Sequence, residues 1–451
     1  MIKEKAPFSS AQAAKYGAGQ RATGILEGVE GMLGRSKGLA AASASLAAIV
    51  VAASFFLTPH QARAWPAGQT GDVAIDDFST TDKEGGKIVI KHIEFTNTNL
   101  EKEEVQKLLT PGTPKNEELE LVKKLKADKI SIPSIELSPK EGGLVRLNGF
   151  EANDIDEGRV GKLSIAGIDG GGEQNGAKLA IKSGALLLED ADLGDVLKAT
   201  GGGGGAPKGR LGHLTWQSVD IVAPDDKTPG KSIHLAFGSF ELKNDYDGDV
   251  MKQGSTTLKG LLVEPAPGSE FAAELASLGY SKIELGAAVG AHYEADAKTL
   301  SLDQFTIEGV QMGSVGLKAN FADIEPALFT GDDGARMQAL LGGSIASVEI
   351  KLVNSGLFEK CLAFYAKQQG ATPEALQQQI AATAAQMVPL MLGGAPDSLK
   401  VAAEAQKFIN APKNLTVSLK AKGAPLKAAD FMAGDPSAIL SKVSISAIAN
   451  Q

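Results

Sequence analysis

The residues best suited to chemistry are acidic. Asn244, Asp245, Tyr246, Asp247, Gly248 and Asp249 follow one another. Carboxylates at alternate positions are how a calcium loop presents its oxygens. The frame is incomplete, because Gly248 is out of place and Thr256 stands where the loop needs a glutamate. Asp, Asn and Gly also gather in turns for backbone reasons, so a turn and no metal site is the expectation. Gly230, Lys231 and Ser232 end like a phosphate-binding loop. The first glycine of that motif is replaced by Asp225, and the IHLAF that follows has strand character where the motif needs a helix.

Other nucleophile and metal patterns are equally incomplete. His60, His92, His213, His234 and His292 are scattered, with no H-x-x-H or H-E-x-x-H pair for zinc. His92, His213 and His234 fall at or beside strands and are expected on a strand surface. No G-x-S-x-G elbow occurs. Asp76–Asp77 and Asp225–Asp226 are turn-type pairs with nothing to select them for acid–base work. Cys361, the single cysteine, lies in the apolar FEKCLAFY and is expected to act as a small buried hydrophobe without a disulfide. The chain is therefore expected to be non-enzymatic, with no cofactor.

The elements that carry these residues have one recurring pattern. In Thr299–Ile324, Leu300 and Leu302 alternate with polar residues, two positions intervene, and Phe305 and Ile307 alternate again. After Gly309–Gly313 the alternation resumes at Val315, Leu317, Ala319 and Phe321. Alternation with period two marks a strand with one buried face. The two-residue gap moves the phase by one, so a bulge or bend at Asp303–Gln304 is needed to keep both halves on one face. The pattern recurs at Ile88, Ile90, Ile93 and Phe95; at Ile130, Ile132, Ile135 and Leu137; and at Val145, Leu147, Phe150 and Ala152. Further copies are Leu214, Trp216, Val219 and Ile221, then Leu235, Phe237, Phe240 and Leu242. Their spacing is irregular, which argues against a solenoid and for one sheet built from a repeated strand type.

The chain has 451 residues, a net charge of −9 and 53 glycines, with only 5% aromatics. Residues 1–64 hold seven Lys/Arg and three Asp/Glu, or +4, which leaves −13 on the remainder. An acidic surface argues against nucleic acid as a partner, because phosphate binding needs clustered cations. Leu39–Leu57 has no charge, follows Arg35 and Lys37, and precedes Ala62-Arg63-Ala64. That is the layout of a signal peptide cleaved after Ala64, or of a retained N-terminal anchor. A start at Met32 would give an ordinary signal peptide, so residues 1–31 read as an upstream extension. Two low-aromatic features, two Trp and five Tyr, argue against an outer-membrane barrel.

The expected organisation is a 1–64 signal or anchor, a β-rich first half over 65–200 with a helical excursion at 100–127, and a β-rich second half over 206–330. A mainly helical insert at 331–412 and closing strands at 413–451 complete it. Gly201–Gly205 is the expected internal break. Asn116–Ala127 and Asp190–Ala199 read as helices, as do Ser269–Leu278, Leu357–Gln369, Pro373–Leu392 and Ser398–Asn410. Thr372 is the expected N-cap of the Pro373 helix. The fold class is α+β and β-dominated: an extended, bent, mostly antiparallel sheet of phase-shifted strands with a C-terminal helical insert.

The repeated unit LxLxxFxIxG…GxVxLxAxF resembles bacterial envelope proteins of the AsmA-like class. It is similar also to uncharacterised, β-rich exported proteins of alphaproteobacteria. The likeness covers roughly Asp72–Ile324 and the closing strands. It implies a long curved sheet or groove and a part in lipid traffic between membranes. An N-terminal anchor is usual in that class, and a large Ala/Gln-rich helical insert is not. The resulting expectation is an exported protein of the bacterial periplasm, free or anchored to the inner membrane, that binds lipid or another hydrophobic ligand. The groove would be lined by Leu300, Leu302, Phe305, Ile307, Val315, Leu317 and Phe321. The alternative is a structural module, or one that binds an envelope protein partner, with its apolar face closed by the C-terminal helices.

Overall fold

The protein is described from a computed structural model covering residues 71–81, 85–110, 121, 124–140, 142–157, 159–174, 176–192, 210–394, 396–427, 430 and 436–451. The signal segment with Ala62 and Ala64, His60 and the five-glycine run fall outside these residues. Among the described residues, seventeen strands form a single sheet. The first half comprises β1 (Gly71–Thr81), β2 (Lys87–Thr98), α1 (Lys102–Leu109), β3 (Lys126–Ser138), β4 (Leu144–Asp156), β5 (Arg159–Gln174), β6 (Ala177–Ser183) and β7 (Leu186–Asp192). The second begins with β8 (Leu211–Pro224), β9 (Ser232–Asp247), β10 (Val250–Glu264), α2 (Glu270–Ser277), β11 (Ile283–Glu294), β12 (Thr299–Gly309) and β13 (Gly313–Ala322). It ends with α3 (Ala327–Thr330), α4 (Asp333–Gly342), β14 (Ser344–Asn354), α5 (Leu357–Gln369), α6 (Pro373–Met391), α7 (Ser398–Asn410), β15 (Asn414–Ala421), β16 (Leu426–Lys427), α8 (Pro436–Ser441) and β17 (Val443–Ala449).

The topology is an antiparallel meander in which each strand position pairs with the next. β6 and β7 are two pieces of one position, both lying between β5 and β8. β15 and β16 likewise share the position beside β14. The sheet continues across the glycine-run region, because β7 pairs with β8 from Leu186↔Trp216 to Ala191↔Leu211. Two helical expectations need correction at the residues described, 116–120, 122–123 and 193–199 lying outside them. Asp190–Asp192 completes β7, since Ala191 pairs with Val160 of β5 and Leu211 of β8, and Asp192 with Arg159. Lys126 and Ala127 open β3, paired to Asp156 and Ile155, so the ladder begins where a helix was expected to end. The remaining helices lie as the sequence indicates, with Ser269 and Thr372 accepting hydrogen bonds from the N–H groups of Ala272 and Ala375.

The phase shifts line up. The two-residue steps are Asp76–Asp77, Lys91–His92, Pro133–Ser134, Asn148–Gly149, Ala166–Gly167, Gly184–Ala185, Gln217–Ser218, Gly238–Ser239 and Lys259–Gly260. The registers Asp76↔His92, Ser134↔Asn148, Asn148↔Gly167, Gln217↔Ser239 and Ser239↔Lys259 place them on one row from β1 to β10. Gly184 N–H donates to the Gln217 carbonyl at 2.9 Å on the same row. Because neighbours shift together, register is kept across this row from β1 to β10, and the sheet is creased rather than bulged there; the register shifts at Gly71/Val73 and Met251/Gln253 lie away from it. Asp77, Gly149, Ser218 and Gly260 take positive φ on this row. Pro133, which has no N–H to donate, sits where no β2–β3 pair is formed, between Ile90↔Ile135 and Glu94↔Ser131. The crease returns apolar side chains to one face on both sides of the row. Ile90, Ile93, Phe95, Ile130, Ile135, Leu147, Phe150, Ile165 and Ile168 consequently join one core, completed by Val105 and Leu108 of α1.

Candidate functional site

Beyond β10 the irregularity changes kind. In β12, Leu302 faces Ala319 and Phe305 faces Leu317, so three steps on one strand match two on the other. On the other side Ala291 faces Leu302 and Gly290 faces Gln304. Asp303 is therefore the extra residue of a β-bulge, at the position the alternation requires. The bulge puts Leu300, Leu302, Phe305 and Ile307 on one face. They lie opposite Phe321, Ala319, Leu317 and Val315 respectively. All seven residues expected to line a groove are thus together.

The face extends well past them. Side chains directly opposite in an antiparallel pair share a face. One such row can be followed across the entire sheet. It begins Val73, Phe95, Ile130, Ala152, Leu163, Leu188, Leu214 and Leu242. It continues Thr256, Val289, Phe305, Leu317, Ile350, Val417 and Ala447. Thr256 is its one polar member. Phe95, Ile130, Ala152, Leu163 and Leu188 are buried in the core of the first half. In the second half the face opens. Ile307 is 42% and Val315 46% exposed, and Val289 and Ile350 are exposed beside them. Leu300, Leu302, Phe305, Leu317 and Phe321 are half-buried. Val289, Ile350 and Val417 belong to the face but were not singled out in the sequence, where each sits in a strand without a phase shift.

α5 meets the ends of β11–β13, where Leu357 N–H donates to the Met312 carbonyl and Lys360 Nζ to the Gly279 carbonyl. Leu362, Ala366 and Leu376, with Phe358, form a small core of their own between α5 and α6. α7 runs along β17, the edge strand. Asn450 N–H donates to the Asn414 carbonyl, so the adjacent Ala449 N–H points away from β15. Glu404 Oε2 accepts that outward N–H at 2.6 Å, and Asn450 Nδ2 donates to the Lys407 carbonyl at 3.0 Å. The helix therefore covers an edge that would otherwise offer unpaired groups.

The opposite face is polar and holds the histidines. His92 Nδ1 lies 2.7 Å from Asp76, and His292 Nδ1 lies 2.7 Å from Asp303, the bulged residue. His213 Nδ1 is 2.9 Å from Glu189, and His234 is 2.7 Å from Glu264 and 3.1 Å from Asp220. The hydrogen bond to Glu264 raises the His234 imidazolium above the usual histidine range, with Asp220 adding to it against a smaller effect of burial. The four histidines lie on four different strands, and His213 and His234 sit towards opposite ends of the β8–β9 ladder, paired with Lys243 and Val222. Among the described residues, no group of three or more His, Cys, Asp or Glu is placed to hold a metal.

The acidic and glycine motifs resolve into connections. Asp247 pairs with Val250 around a two-residue hairpin, Gly248 (φ 58°) and Asp249. Ser232 opens β9, so a strand follows Lys231. Cys361 is half-buried in α5, and burial pushes its thiol pKa up. No helix among the described residues is long and apolar enough to cross a membrane. A protein-family model described as "Uncharacterized protein" matches residues 306–450, from within β12 to the end of β17. No curated protein matches the chain.

Proposed function

We propose that the protein is a non-enzymatic carrier or conduit for acyl chains, which it holds against the open apolar face of β11–β15. The observation that carries this reading is the exposure of Val289, Ile307, Val315 and Ile350 on a face whose side chains form a buried core in the first half. The same strip of side chains makes a filled core in the first half and a vacant-sided surface in the second. Burying apolar surface is worth about 25 cal/mol per Å², and contiguous exposed apolar area of this kind marks a ligand or partner surface. α7 lies along β17, and α5 meets Gly279, Tyr280 and Met312 at the ends of β11–β13, while Val289, Ile307, Val315 and Ile350 stay exposed, which favours an open face over one closed by these helices. The acidic remainder of the chain and the Leu39–Leu57 segment with Ala62 and Ala64 suit an exported protein of the bacterial envelope.

Native mass spectrometry and organic extraction of the full chain, purified from bacterial envelopes, test the reading. Lipid bound in stoichiometric amount is expected. Val315→Asp, at an exposed position, should leave stability within about 0.5 kcal/mol and abolish most of that lipid. A wild-type chain free of lipid in every preparation would refute the proposal, as would undiminished lipid on Val315→Asp.

A further inference from the structure

One polar atom on the apolar face has nothing to bond. Trp216 Nε1–H is buried without a hydrogen-bond partner among the described residues. His213 Nε2 and Arg336 Nε are buried in the same way, but His213 Nε2 lies 3.4 Å from the Glu241 carboxylate and Arg336 donates to the Phe329 carbonyl through Nη2. Tryptophan has no second polar atom, so the whole hydrogen-bonding capacity of Trp216 is unmet, and a buried donor left unpaired is costly. Phe237 stands against the indole, with centroids 5.6 Å apart and planes at 81°. An aromatic ring is a weak acceptor at best.

Trp216 stands where the filled core gives way to the open face. On one side its cross-strand row continues to Leu186 and Ile165. On the other it runs through Phe240, Leu258, Ala287, Ile307 and Val315. Ile165 belongs to the core, and Leu186 and Trp216 pack against it. Trp216 as a whole is half-buried, as are Phe240, Leu258 and Ala287, and Ile307 and Val315 are exposed. The row therefore makes an apolar strip, closed at the Trp216 end and open at Val315. Four strand spacings, about 19 Å, separate Trp216 from Ile307. A single acyl chain covers most of that length, since two of them end to end fill the hydrocarbon layer of a bilayer, about 30 Å thick. Leu214 and Val219 of β8 and Phe237 of β9 flank the indole on the same face. The nearby charged groups, His213, Glu241 and Lys243, alternate with these residues and pair with one another on the polar face. An ionised carboxylate beside Trp216 would find no cation there, and the donor suits the neutral carbonyl oxygen of an ester.

Given the acyl-chain reading of the open face, on which this rests, we infer that Trp216 donates its indole N–H to the ester carbonyl of a bound acyl lipid whose chain lies along this row toward Ile307 and Val315. The full chain with Trp65→Phe keeps Trp216 as its one tryptophan, and nitrogen-15 labelling of tryptophan makes its indole N–H visible by NMR. The probes are palmitoyl-lysophosphatidylcholine, which carries one ester, and its hexadecyl ether counterpart, which has the same headgroup and chain length and no carbonyl. Both are added below their micelle concentrations, with native mass spectrometry reporting stoichiometry. Both lipids should bind, and Val315→Asp should weaken them alike. The ester should move the indole proton downfield and bind about tenfold more tightly, and the ether should give no downfield shift. Trp216→Phe should bring the two affinities together. The resonance is read on the Trp216 side chain itself, so the test holds even where Trp216→Phe fails to fold. Equal affinities for the two lipids in the Trp216 chain, or the same shift with both, would overturn the carbonyl contact and leave the acyl-chain reading standing. Binding of neither lipid would overturn both.

Discussion

At the scale of single residues, the crease is where the chain is most constrained. Gly149 has φ 62°, and a Cβ there would sit 2.8 Å from the Cβ of Ala166. Gly149→Ala should therefore cost more than about 1 kcal/mol in urea denaturation, from αL strain and the clash together. Ser218 takes φ 51° on the same row without being glycine. Ser218→Gly relieves that strain and should raise stability by up to about 1 kcal/mol. The histidine pairs act through pH. The folded-state pKa of His234 is above its ordinary 6.5 because Glu264 and Asp220 stabilise the cation. Its contribution is fully present below pH 6.5 and fades as pH rises through the higher folded value. His234→Gln should accordingly lower the urea midpoint more at pH 5.5 than at pH 8.5. An equal loss at both would show that the ion pairs contribute nothing.

At the scale of elements, the two ends of the meander are handled differently. β17 would be an open template for another strand, and α7 removes it by laying Glu404 against Ala449 N–H. That N–H, helped by Lys407, holds the Glu404 carboxyl below its usual 4.5. The sign follows: the stabilisation is present above about pH 4.5 and is lost as pH falls through the lower folded value. Glu404→Ala should detach α7 from the edge and increase self-association, measured by light scattering at neutral pH. Wild type should approach the variant's behaviour only on acidification. Scattering identical in both chains at neutral pH would show that the edge is protected by other groups. The helix caps are ordinary by comparison. Ser269→Ala, which removes the oxygen bonded to Ala272 N–H, should cost about 1 kcal/mol without affecting lipid content.

At the scale of the molecule, one apolar face serves two purposes. From β1 to β7 its side chains are buried in one cluster with those of α1, and it supplies the core that stabilises the fold. From β11 to β15 it has the same composition and no such cover at Ile307 and Val315. Disrupting the two regions should therefore have opposite signatures. Phe150→Ala, in the closed part, should destabilise by about 3–5 kcal/mol and affect lipid only through unfolding. Val315→Asp should do the reverse. If Val315→Asp unfolds the chain as severely as Phe150→Ala, the face is core throughout and not a binding surface.

Much of this was written in local patterns. Alternation depends only on side-chain period, so the strands, the bulge at Asp303, and the helices capped by Ser269 and Thr372 were all readable residue by residue. Six phase-shifted copies were readable too. The shifts in β1, β5, β6–β7 and β10 were harder to see, because Thr80, Ser183 and glycines such as Gly167 and Gly260 interrupt the apolar signal. Only the tertiary structure decided that these steps fall on a common row, since register belongs to pairs of strands and no single strand carries it. The same holds for Asp190–Asp192, whose helical composition yields to pairing with β5 and β8. Exposure was the least local property of all. Phe95 and Ile307 stand in equivalent alternating contexts, and one is fully buried while the other is open. That difference rests on where α1 and α5–α7 come to lie after the sheet has formed. It is a question of which surfaces meet, and the order of residues along the chain does not answer it.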